Sequence, residues 1–110
     1  MYARVWKLVI LPGKVEEFAA VVNSMIPIYR RQAGFHGLLV LRSGPEEKLE
    51  VTVVSAWDSL DALRNSETSA FRQALTRTLS LCEPRPFMRE EKVLVSEFAS
   101  QDLSDATTKY

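Results

Sequence analysis

One cysteine, one histidine and four glycines are all that this chain of 110 residues holds of the residue types that build many recognisable sites. The lone Cys82 forms no intrachain disulfide and offers no metal-binding pair, so it reads as a small buried hydrophobe. A single histidine, His36, excludes a histidine metal cluster, and no Cys-His or Ser-His pair backed by a third group is evident. Neither a phosphate-binding glycine loop nor a nucleophile elbow occurs. A surplus charge is missing too. Fourteen basic and fourteen acidic side chains cancel, so no long-range field draws the chain to nucleic acid or to an anionic membrane. No apolar run reaches the roughly 20 residues of a membrane span, and the start, MYARVWKLVIL, lacks the basic-then-apolar layout of a signal peptide. The cytoplasm is the expected compartment. At this length the chain makes one domain, with a high surface-to-volume ratio.

What the chain does have is concentrated in LEVTVVSAWDSLDAL, Leu49 to Leu63. Val51, Thr52, Val53 and Val54 are β-branched and suit a pleated, half-buried surface. Leu49, Val51, Val53 and Trp57 share one parity while Val54 and Ala56 share the other, so both faces of this strand are apolar. Phe35 to Leu41 repeats the pattern, with Leu39 and Leu41 opposing Leu38 and Val40.

Around these two strands the remaining elements follow in order. Tyr2 to Ile10 is a first strand, closed by a turn at Leu11-Pro12-Gly13. Val15, Phe18, Ala19, Val22, Ile26 and Tyr29 recur at helical spacing and form one core-facing stripe. Glu16 and Glu17 sit at the positive end of that helix, Arg30 and Arg31 at its negative end, and Gly34 is placed to terminate it. Pro27 lies inside, at a cost of about 3 kcal/mol unless the helix bends, so a kink is expected near Asn23 to Pro27. Ser43 to Lys48 is a hairpin loop between antiparallel strands. Asp58 is placed to cap a helix carrying Leu60 and Leu63, and a break around Asn65 to Thr68 separates it from a second piece lined by Phe71, Leu75 and Leu79. Glu83-Pro84-Arg85-Pro86 stops that piece, and a last strand is expected at about Arg89 to Phe98, through Val93, Leu94 and Val95. A domain of residues 1–99 and a polar tail of 100–110 result.

Strand, helix, strand, strand, helix, strand is the βαββαβ order of a ferredoxin-like α+β fold with a four-stranded antiparallel sheet. Two helices cover one sheet face. The other would leave leucine and valine in water, and an apolar patch of that size implies an interface, so a homodimer with the bare faces packed together is expected.

Three motifs together, PGK at Pro12 to Lys14, QAGFHG at Gln32 to Gly37 and SAWDSLDAL at Ser55 to Leu63, resemble the antibiotic biosynthesis monooxygenase domain over about residues 2 to 98. The resemblance implies a dimeric α+β barrel with a pocket in each protomer between sheet and helices. It also implies oxidation of hydroxylated aromatic polyketides or quinols by molecular oxygen without metal or flavin, or, in other members, binding and breakdown of haem. Trp57 matches the family tryptophan at the end of the third strand. Where polyketide-oxidising members carry an asparagine and a tyrosine around it, this chain has Val53 and Leu63. At the positions of the haem-degrading members' asparagine and iron-ligating histidine it has Trp6 and Leu75, so no haem and no other cofactor is expected.

The candidate catalytic residues are therefore Trp57 and His36, and the candidate ligand-binding residues Arg4, Trp6, Tyr29, Val53, Leu63 and Phe71. Each has a plainer alternative. A tryptophan ending a strand is more often a core anchor, Tyr29 on the apolar stripe also packs, and His36 sits in a glycine-flanked turn open to solvent. Trp6 shares parity with Arg4 and Leu8, and if it points under the helices it shrinks the pocket. A buried strand arginine such as Arg4 requires a carboxylate or a ligand oxygen anion as partner. Two functions fit. One is a cofactor-independent monooxygenase acting on a small, hydroxyanthrone- or quinol-like aromatic. The other is a non-catalytic dimeric ligand-binding or scaffold module of the same fold.

Overall fold

The computed structural model describes residues 1–98, so the tail expected at 100–110 lies outside the described residues. The chain runs β1 (Tyr2–Val9), α1 (Val15–Arg30), β2 (Phe35–Ser43), a 3-10 turn (Glu46–Lys48), β3 (Glu50–Trp57), α2 (Leu60–Asn65), α3 (Ser69–Leu79) and β4 (Phe87–Lys92). The strands form one antiparallel sheet in the order β2-β3-β1-β4. This is the expected ferredoxin-like α+β architecture.

Strand β3 shows why the sheet is layered as it is. Val51, Val53, Ser55 and Trp57 are buried, while Thr52, Val54 and Ala56 are half-buried. The first set faces the helices. The second set faces outward, next to Leu39 and Leu41 of β2, which are 59% and 52% exposed. Both faces are apolar, as read from the residues, and one is roofed.

Helix α1 runs through Pro27 as a single element of 16 residues, so the bend expected near Asn23 to Pro27 does not divide it. Its buried stripe is Phe18, Met25 and Tyr29 with Val22 half-buried; Met25 takes the inward place expected of Ile26. Spacings of four, three and four keep these side chains on one line as the helix turns 100° per residue.

Two boundaries differ from expectation. Ser59, not Asp58, caps α2: its Oγ accepts the Ala62 N–H at 3.0 Å, the usual reach from an N-cap to the third helical residue. Thr68 caps α3 in the same way, accepting from the Phe71 N–H at 3.3 Å, which restarts the helix after the predicted break. The last strand spans Phe87–Lys92 rather than Arg89 to Phe98. Lys92 already pairs with Tyr2, the first residue of β1, and the Val93 N–H makes one further bond to the Met1 carbonyl. Leu94 and Val95, past these bonds, are 95% and 83% exposed.

Gly34 is the tightest joint in the fold. It has φ +82, its carbonyl accepts the Asp58 N–H at 2.8 Å, and a Cβ there would lie 2.7 Å from Ala62 Cβ. Gly13 has φ +77 with open space around it. A left-handed alanine costs roughly 1–2 kcal/mol, and the crowding at Gly34 adds roughly 1–3 kcal/mol. Gly34→Ala is therefore expected to lower the urea midpoint about twice as far as Gly13→Ala, as read by circular dichroism.

Candidate functional site

Between the roofed sheet face and the helices lies a chamber walled by aromatic and aliphatic side chains. β1 delivers Trp6 and Leu8 to it, and Arg4, of the same parity, is buried next to Phe71 without bordering the open space itself. β3 delivers Val53 and Ser55 beside them, through the pairs Trp6 with Val53 and Arg4 with Ser55. α1 supplies Met25 and Tyr29 from above, and α3 supplies Phe71, Leu75 and Thr78. The open space left inside is about 30 Å³, bordered by Trp6, Tyr29, Val53, Phe71 and Leu75. That is room for a water or two, far below the 300 to 1,000 Å³ typical of small-molecule pockets. Trp6 points under the helices and fills the space, which settles the orientation its parity left open.

The aromatic rings pack around Tyr29. Its ring stacks on Phe35 at 5.3 Å between centroids, meets Phe71 edge-on at 5.9 Å and tilts against Trp57 at 6.0 Å. Burial pushes the Tyr29 phenol up from 10 to about 12, against a smaller downward pull from the Arg4 guanidinium. The phenol is thus a neutral donor at physiological pH. Cys82, at the far side of the core, is likewise pushed up to about 11 by burial and donates to the Thr78 carbonyl.

Arg4 is the unusual member. It is 4% exposed, and its guanidinium lies 5.9 Å from the centre of the Phe71 ring. Two carboxylates approach it, Glu67 at 3.6 Å and Glu90 at 3.8 Å, both outside hydrogen-bond range. Its Nε is buried without a hydrogen-bond partner among the described residues. A buried, under-bonded guanidinium beside a phenol is an arrangement able to stabilise an oxyanion.

Trp57 is fully buried, and its indole N–H donates to Ser55 Oγ at 2.9 Å. It forms the floor under Tyr29 and Phe35 and does not border the open space. Leu63 is also fully buried and packs with Trp57, Tyr29 and Phe71 behind the chamber wall. His36 stands apart. It is the unpaired residue of a bulge in β2, is exposed, and its Nε2 meets Asp58 Oδ1. So the fold brings Arg4, Trp6, Tyr29, Val53, Leu63, Phe71 and Trp57 together and leaves His36 at the rim. Beside Asp58 a recess of about 390 Å³ is open to solvent and lined by Gln32, Ser59, Asp61 and Asn65, with no aromatic wall.

The candidate residues left out six that line the chamber, Leu8, Val22, Met25, Leu38, Leu75 and Thr78, and also Ser55 beside it. Ser55 carried a signal, a lone hydroxyl on the buried parity of an apolar strand, which needs a partner; Met25 and Thr78 carried none. Among the described residues no group of three or more acidic, histidine or cysteine side chains is placed to hold a metal ion. No helix of the described residues is long and apolar enough to cross a membrane.

A four-stranded antiparallel sheet roofed on one face, with an aromatic chamber beneath the roof, defines a ferredoxin-like α+β protein. The family model for antibiotic biosynthesis monooxygenase matches residues 1–77, and the chain belongs to that family. Strand β4 lies outside the matched stretch. Among solved structures, SnoaB from Streptomyces nogalater, a cofactor-independent oxygenase, superposes with a TM-score of 0.70 at 19% identity, covering 86% of this chain and 95% of that one. A protein from Bordetella bronchiseptica classed with the antibiotic biosynthesis monooxygenases gives 0.72 at 21% identity, over 86% and 97% of the two chains. A conserved protein from Methanosarcina mazei gives 0.73 at 19% identity, over 84% and 92%. No curated protein sequence matches the chain.

The Tyr29 environment sets a pH dependence. The folded phenol keeps its proton to about pH 12, while the unfolded one releases it near 10. Between those values the unfolded state binds fewer protons, so stability falls as pH rises. Tyr29 should account for about 2–3 kcal/mol of loss from pH 10 to 12, and Tyr29→Phe should lack this part of the decline in urea titrations.

Proposed function

We propose that this protein is a cofactor-independent monooxygenase acting on a small hydroxylated aromatic of quinol or hydroxyanthrone type, bound in the chamber between sheet and helices. The observation that carries the reading is the Tyr29 phenol held beside the buried Arg4 cation within a wall of aromatic rings. Such surroundings exclude water and stabilise a substrate oxyanion, and an electron-rich arene anion can itself pass electrons to oxygen. Family membership supports the reaction class. In this reading Trp6 swings aside to admit the ring, Trp57 forms the floor of the site, and His36, paired with Asp58 at the rim, is the base that takes the proton to solvent.

A second reading, a non-catalytic ligand-binding or scaffold module, is favoured by the small open volume and by Val53 and Leu63 at the positions where polyketide-oxidising members carry polar groups. Oxygen uptake with a quinol and with a hydroxyanthrone decides between them. Turnover above the uncatalysed rate is expected with the quinol. His36→Ala should lower kcat on the order of 100-fold, while Trp57→Phe should shift KM more than kcat. Trp6→Ala should admit the larger hydroxyanthrone. No uptake by the wild type with either compound leaves the module reading.

We also propose that two copies pack their bare sheet faces together. Leu39, Leu41 and Val54 form an apolar surface on the unroofed side, and burying such a surface gains roughly 25 cal/mol per Å². Sedimentation at micromolar concentration should report two chains, and Leu39→Glu should release folded single chains. A wild type that sediments as a stable single chain removes this assembly.

A further inference from the structure

The chamber has a feature that aromatic stacking leaves unexplained. Arg4 is a cation almost fully removed from water, yet neither nearby carboxylate reaches hydrogen-bond distance and its Nε bonds to nothing among the described residues. A buried guanidinium normally satisfies its donors, often by a two-pronged pairing with a carboxylate. The two acids differ in how tightly they are held. Glu90 sits opposite Arg4 on β4 and is engaged elsewhere, accepting from Arg64 Nη2 at 3.3 Å. Glu67 lies in the break between α2 and α3, its side chain 42% exposed, and among the described residues it pairs with no cation but Arg4. It can turn into water at little cost.

We propose that Arg4 anchors a carboxylate on the substrate, and that Glu67 holds the place of that group until the ligand displaces it. The inference rests on the reading of the chamber as the substrate site and narrows the substrate class to small aromatic carboxylic acids. A carboxylate reaching Arg4 would satisfy the free Nε along with an Nη, in the planar match that a lysine cannot reproduce. Phe71, against the same guanidinium, and Tyr29 would then flank the ring attached to it.

Calorimetric titration of 2,5-dihydroxybenzoate against 2,5-dihydroxytoluene isolates the carboxylate, since the two differ only in that group and a methyl. The wild type should bind the acid at least tenfold more tightly. Glu67→Gln, which removes the competing charge and leaves Arg4 in place, should tighten the acid severalfold and leave the toluene unchanged. Arg4→Lys should erase the preference. Equal affinities in the wild type, binding of neither compound, or a Glu67→Gln effect of the same size on both overturns the anchor. Oxygen uptake reads the reaction separately. A carboxylate preference without uptake keeps the anchor and removes the oxygenase reading; uptake from the toluene without any preference does the reverse.

Discussion

The pairing of β1 with β3 is the constraint from which the chamber follows. Eight residue pairs, from Tyr2 with Trp57 to Val9 with Glu50, set Arg4, Trp6 and Leu8 on the roofed face beside Ser55, Val53 and Val51. A slip of one residue would turn every one of them to the other side. Val5 and Lys7 would then enter the core, and the indole and guanidinium would leave it. β4 inherits the same register through β1, which is how Glu90 comes to lie opposite Arg4.

That register carries an energetic cost which the surroundings offset. Removing a guanidinium from water costs several kcal/mol even after relaxation. Glu67, Glu90 and the face of Phe71 return part of this through charge and ring attraction. The same dry surroundings act oppositely on Tyr29, where loss of solvation outweighs the pull of Arg4 and keeps the phenol protonated. A cation and a neutral phenol side by side are a consequence of one environment acting on two different groups. The surrounding packing is dense, so the site's polar equipment is present while the volume for a ligand depends on where Trp6 lies.

Much of the fold was legible along the chain because its signals are local. A β-branched run marks β3 and an apolar run marks β2, acidic and basic ends mark α1, and Thr68 restarts the helix at the expected break. The misplacements share one cause, which is that the deciding partner is far away in sequence. Val93 to Val95 have strand composition, but the ladder between β1 and β4 ends where Lys92 pairs with Tyr2. Asp58 could cap α2, yet His36, 22 positions earlier, stands beside it and Ser59 takes the cap. Met25 displaces Ile26 from the core because α3 approaches α1 from that side, with Thr78 Oγ1 lying 3.8 Å from the Met25 sulfur.

For the candidate site the division is sharper. Residue types and spacing alone determined that the sheet is apolar on both faces, that helices cover one of them, that Tyr29 lies on the core-facing stripe of α1 and that Trp57 shares parity with Val51 and Val53, since side-chain parity and helical period are properties of the backbone itself. Only the tertiary structure decided that the indole of Trp6 closes the chamber and that Arg4 is buried beside it without a full set of hydrogen bonds. Solvation and satisfaction of a polar group depend on which distant elements, here α3 and β4, are brought against it, and no local pattern encodes that meeting.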